Sequence, residues 1–211
     1  MYTYKMSQFL TKMLKNLNTP DRIQDYLDQL PFNFEKNGET YFSPLKVLEN
    51  KRAHCFEGAC FAVAAMQANN KKAFLLDLKV KDLNKDSDHV LAVYKQAGCW
   101  GAISKTNHAA LRWRDPIYLS IRELATSYFH EYFLSVSGEK TLHSYSQPFD
   151  ILKKFGKVWM NSEEDLDDIA LALDKSKHFN FYPEKLKKYI RKVSKIERRA
   201  GGIEEWKLGR K

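Results

Sequence analysis

The run from Phe56 to Ala68 contains Ala59, Cys60, Phe61, Ala62, Val63, Ala64, Ala65 and Met66, so a helix built from it is apolar nearly all round. A helix with no polar face has to be enclosed by the rest of the chain. Three segments with strand character follow: Ala73 to Val80, where Phe74, Leu76, Leu78 and Val80 alternate, then His89 to Tyr94, then Gly98 to Ser104. Lys95-Gln96-Ala97-Gly98 is a short connection, so the last two strands should form an antiparallel hairpin. The expected fold class is α+β, a central helix packed on an antiparallel sheet with additional N- and C-terminal helices.

The flanking segments carry helical spacing. Met6, Phe9, Leu10, Met13, Leu14 and Leu17 mark one helix, and Ile23, Tyr26, Leu27 and Leu30 mark a second that opens at Thr19-Pro20. Pro44 to Glu49 should make one or two turns. Beyond the hairpin, the pattern predicts an irregular stretch to Pro116, a helix over 117–133 and a helix capped by Ser162. A last helix is expected from Pro183 to about Ala200, ended by Gly201-Gly202. We expect residues 1–183 to form one domain with an N-terminal helical extension, and 184–211 to form a basic C-terminal helix and tail.

The net charge of +9 is unevenly placed. From Glu184 onward there are eleven Lys/Arg and four Asp/Glu, so this segment alone carries +7 and the preceding body is almost neutral. A solvated helix face, or an acidic partner for the basic helix, accounts for this better than nucleic acid. The segment lacks glycine-aromatic interleaving, and no nucleic-acid motif occurs. No apolar run approaches the ~18 residues needed to span a bilayer, and the opening residues lead into an amphipathic segment, so the expected location is cytoplasmic. Three cysteines, an odd number, argue for free thiols in a reducing compartment.

Chemistry is suggested where polar loop meets buried helix. Cys55 stands at that junction, and the orphan N–H groups and dipole of a helix N-terminus favour its thiolate. A thiolate nucleophile needs a nearby base. His89, after the polar loop 82–88 and at the start of an apolar strand, is the candidate. Cys60 and Cys99 read as packing residues. Zinc is disfavoured among His54, Cys55, Cys60, His89, Cys99 and His108, because neither Cys-x-x-Cys nor His-x-x-x-His occurs. His54 should point away from Cys55 if the chain is helical there. His108, His130, His143 and His178 have no partner that spacing identifies.

The order Cys55, Glu57, Ala59, then His89 opening one strand and Trp100 near the end of the next, resembles the transglutaminase-like branch of the papain-like cysteine enzymes. The likeness covers roughly 42–104. It implies a Cys–His–Asp triad acting on the amide bonds of a peptide or protein substrate, by hydrolysis or acyl transfer, with no metal or organic cofactor. The third member departs from that pattern. Ser104 occupies the position by alignment, whereas Asn107 is the better ring-orienting group by chemistry, and both stay open. Cys55 N–H and Asn50 are the candidate oxyanion donors. Trp100, Arg112 and Arg114 are candidates for substrate binding, the arginines standing beside the site or forming a salt-bridged loop. The alternative is an inactive module of the same fold that holds an acidic protein or nucleic acid through its basic surface.

Overall fold

The computed structural model describes residues 2–207, and side chains from residue 8 onward. It has the expected α+β class. Two helices, α1 (Tyr2–Asn16) and α2 (Pro20–Gln29), precede a loop, the short α3 (Pro44–Asn50) and the central α4 (Cys55–Ala68). Six strands follow: β1 (Ala73–Val80), β2 (His89–Gln96), β3 (Cys99–Ile103), β4 (Arg114–Tyr118), β5 (Leu142–Ser146) and β6 (His178–Asn180). They pair antiparallel throughout in the spatial order β4-β3-β2-β1-β5-β6. Helices α5 (Ile121–Phe129), α6 (Ile151–Phe155), α7 (Asp167–Asp174) and α8 (Lys195–Gly201) complete the chain.

The enclosed helix is α4, buried from Phe56 through Met66. The alternation of β1 and β2 sorts two cores. Leu75, Val90, Ala92 and Tyr94 pack with α4 and the N-terminal helices. Leu76, Leu78, Leu91 and Val93 pack instead with Leu124, Ala125 and Tyr128 of α5. A sheet covered on both faces explains why both sets of side chains are apolar. The hairpin turns through Ala97 and Gly98 at φ +49° and +84°, the paired left-handed residues of a two-residue turn, with Gln96 facing Cys99.

Several expected elements differ. The 117–133 helix is shorter, because Arg114–Tyr118 adds to the sheet beside β3 and Ser120 then caps α5 through Glu123 N–H. Ser162 caps no helix; its hydroxyl closes a local turn on Glu164, and α7 begins at Asp167. The basic C-terminal helix is broken. A 3-10 segment Glu184–Tyr189 gives way to extended chain whose Val193 N–H bonds Gly138 O, and α8 starts afresh from Ser194, whose capping box with Glu197 ends the preceding run. Strands β5 and β6 fall where irregular chain or helix was expected. Among the described residues, no helix is long and apolar enough to cross a membrane.

Candidate active site

At the N-terminus of α4, His54 is the cap residue and Cys55 the first helical residue. His54 N–H donates to the Glu57 carboxylate at 2.8 Å, and His54 Nδ1 accepts Phe56 N–H at 3.3 Å, a reciprocal cap. Glu57 is fully buried, yet its oxygens are all occupied. Asn33 Nδ2, Thr40 Oγ1 and Phe42 N–H also donate to it, at 3.2, 2.8 and 3.2 Å. A buried carboxylate tolerates loss of water only when donors replace it. These donors come from the 33–42 loop, so Glu57 fastens that loop over the helix start.

The ring of His54 does not point away from Cys55, correcting the sequence expectation. Nδ1 lies 3.9 Å from Cys55 Sγ, while Nε2 faces Thr40 O at 2.7 Å and Glu57 Oε1 at 3.4 Å. The cap conformation turns residue 54 out of the helix, which is why helical geometry misplaces it. Two contacts at Nδ1 belong to different protonation states. The neutral ring accepts Phe56 N–H, whereas the imidazolium donates to a thiolate. Burial works against the charged ring, but the Cys55 thiolate, Glu57 and the Thr40 carbonyl outweigh it and raise His54 to about 9. The pattern His-x-x-Glu ahead of an apolar run was the available signal.

His89 opens β2 and is buried. Its Nε2 lies 2.9 Å from Ser104 Oγ, and Ser104 Oγ lies 2.7 Å from the Leu111 carbonyl. A carbonyl only accepts, so the single hydroxyl proton of Ser104 goes to Leu111. Ser104 Oγ must therefore accept from His89, which puts the ring proton on Nε2 and leaves Nδ1 unprotonated in the neutral ring. Ser104 is itself held by Gln24. The Gln24 amide donates to Ser104 O and accepts Ser104 N–H, both at 2.9 Å, as a neighbouring strand would. No sequence pattern marks Gln24 for this.

Burial raises the Cys55 thiol, but hydrogen bonding and charge from His54 and His89 outweigh it and bring it down to about 5. Cys55 is half-buried, whereas Cys60 is enclosed and its thiol is pushed well above the ordinary range by burial. The Cys55 backbone N–H lies in the first turn of α4, where donors have no intrahelical acceptor.

Lys105 is buried beside the site. Its Nζ donates to Leu27 O at 2.9 Å and to Leu30 O, capping the C-terminal carbonyls of α2. Burial lowers its pKa to about 8, against the pull of Asp28 and Glu205. Its stem runs across α4 at Gly58, where an added Cβ would stand 2.3 Å from Lys105 Cβ.

The other expected residues lie elsewhere. Asn107 is held by the C-terminal segment, its amide donating to Trp206 O at 2.9 Å and accepting Trp206 N–H at 2.7 Å, so Ser104 and not Asn107 meets the ring. Asn50 is exposed and donates to Lys46 O of its own helix at 2.8 Å, which turns its amide to α3 instead of an oxyanion. Trp100 pairs with Lys95 in the hairpin, about six strand residues and therefore about 20 Å from the His89 end. It lines a groove with Thr19, Pro20, Met66, Phe74 and Tyr94. Arg112 pairs with Asp28 and Glu205. Arg114 stacks 4.1 Å over Tyr128, bonds the Ala110, Arg112 and Trp113 carbonyls, and pairs with Glu131. Both arginines thus build the salt-bridged loop.

No family model matches the chain, and no curated protein matches it. A solved structure of a candidate cysteine protease from Cytophaga hutchinsonii overlaps 52% of this chain and 41% of its own length, at 13% identity and TM-score 0.40. A likeness this partial assigns neither fold nor activity.

Proposed function

We propose that the protein is a cysteine-nucleophile enzyme of transglutaminase-like type acting on amide bonds, with Cys55 as nucleophile, His89 as general base and acid, and Ser104 as the residue that orients His89. The observation that carries this reading is the Leu111–Ser104–His89 chain of hydrogen bonds, which commits Nε2 to Ser104 and leaves Nδ1 of the neutral ring to accept a proton, and it is supported by a Cys55 thiol lowered to about 5. The thiolate attacks the carbonyl carbon and a C–S bond forms. The imidazolium gives its proton to the leaving amine as the C–N bond breaks. Water or an acceptor amine then attacks the thioester, His89 takes its proton, and the thiolate leaves. The Cys55 N–H supplies one oxyanion donor. His54 holds charge near the sulfur without moving a proton to substrate.

A neutral serine cannot offset imidazolium charge as a carboxylate does. That favours, as second reading, a slow or silent enzyme that works by holding a partner. The first test is the pH profile of Cys55 alkylation by iodoacetamide, read by mass spectrometry in the parent and in His89→Ala. The expected midpoint is near 5 in the parent and more than a unit higher in His89→Ala. A free-thiol profile near ~8.5 in both overturns the nucleophile assignment. Release of amine or ammonia from peptide amides then separates turnover from holding.

A further inference from the structure

A second cluster of polar groups, which includes the residue just before His89, takes no part in the chemistry above. Asp77 in β1, Asp88 ahead of β2 and Asp174 at the end of α7 each bring a carboxylate oxygen to within 4.8 Å of the other two. They come from three separate stretches of chain, and carboxylates this close repel one another unless cations lie among them.

Asp77 is the decisive member, being only 4% exposed in the middle of the sheet. Its Oδ2 is held by His178 Nε2 at 3.1 Å, while Oδ1 is buried with no hydrogen-bond partner. An unpartnered buried carboxylate oxygen is costly and calls for a donor or a cation. His178 is fixed in turn by Ser176 O, 2.7 Å from Nδ1, the kind of outer support that holds a ligating carboxylate in place. Asp88 is anchored through Oδ1 by Val80 N–H at 2.8 Å. Lys79 pairs with Asp174, the outermost carboxylate, and is the one ammonium among the described residues seated on the cluster.

We infer that Asp77, Asp88 and Asp174 form a binding site for a hard divalent cation, with Lys79 as its built-in competitor. Three carboxylates with no thiolate or imidazole among them suit Ca2+, Mn2+ or Mg2+ and not zinc. Ligand oxygens up to 4.8 Å apart fit a cation with bonds of about 2.4 Å. Bound there, the ion would join α7 to β1 and to the loop that leads into His89. His and Cys spacing, which disfavours zinc, does not bear on a site made of carboxylates alone. The aspartates are scattered over almost a hundred residues and meet only in the fold. The inference stands independently of the role given to Cys55.

The test is calorimetric titration of the full chain, stripped with chelator, with Ca2+, Mn2+ and Mg2+ in turn. We expect one saturable site for at least one ion. Lys79→Ala, which frees Asp174, should tighten binding by roughly tenfold, a gain that a damaged fold would not produce. Asp174→Asn, at an exposed position, should weaken it by a similar factor, and Asp77→Asn should abolish it. Failure of both the parent and Lys79→Ala to bind any of the three ions overturns the site. Binding that Asp77→Asn and Asp174→Asn leave unchanged also overturns it, by placing the ion elsewhere.

Discussion

Two histidines lower one thiol, and the regions that hold them differ. His54 stands in a cap of charge, with buried Glu57 at 3.4 Å and a carbonyl on its outer nitrogen. His89 is held by a neutral hydroxyl whose own proton is already assigned to Leu111. The first arrangement favours a standing positive charge. The second leaves Nδ1 of the neutral ring as an acceptor. Under the function proposed above, charge and proton transfer at Cys55 fall to different side chains, fixed by different parts of the chain.

The largest expected effect breaks the comparison on the proton-transfer side. His89→Ala should reduce any amide turnover by about 10^3-fold or more, while leaving Cys55 partly ionised near neutrality because His54 persists. Equal loss in His54→Ala would erase the distinction. The pH profile sharpens it. The Cys55 thiol is depressed, so alkylation should rise through about pH 5 in the parent. Removing both histidines should carry the midpoint above ~8.5, because burial then acts alone. Since the thiol is lowered and His54 is raised to about 9, their stability contributions have opposite slopes between the ordinary imidazole and thiol ranges. Unfolded and folded pairs hold the same proton count there, so the pair should add almost no pH dependence near neutrality.

Gly58→Ala tests the packing common to both histidine regions. A Cβ 2.3 Å from Lys105 Cβ forces α4 and the residue after Ser104 apart, and we expect about 3 kcal/mol of lost stability in a denaturant titration. Wild-type stability would mean that Lys105 is not seated there. A smaller effect comes from Lys105 itself. With its folded pKa lowered to about 8, the unfolded chain binds the extra proton between about 8 and 10.4, so stability from this site rises with pH across that window. Lys105→Met should flatten that slope relative to the parent. The smallest effect is Trp100→Ala, which should leave the Cys55 alkylation profile unchanged, since its groove lies at the far end of the hairpin.

The parts of the fold legible in the sequence were those with strong periodicity. The enclosed α4, the alternating β1 and the β2–β3 hairpin follow from apolar spacing and one turn. Strands β4 to β6 are short and rich in polar or aromatic residues, and they pair through contacts distant in sequence, so local pattern did not mark them. The His89–Ser104 contact and the place of Cys55 at the start of α4 were legible from residue types in order. Gln24 and Lys105 were not, because each acts on main-chain atoms across the fold, and main-chain partners leave no trace in residue spacing. Asn107 had suitable chemistry but is held by Trp206, a contact visible only once the C-terminal segment is in place.

The amide of Gln24 gives the candidate site a place in time as well as in space. It joins Ser104 across 80 residues, so Ser104 cannot hold the His89 ring until α2 and the end of β3 have met. Contacts of such long sequence separation carry the greatest loop-closure cost and slow assembly. During synthesis, Cys55 emerges well before Ser104. A nascent chain therefore presents the Cys55 thiol before the Gln24–Ser104–His89 arrangement can form.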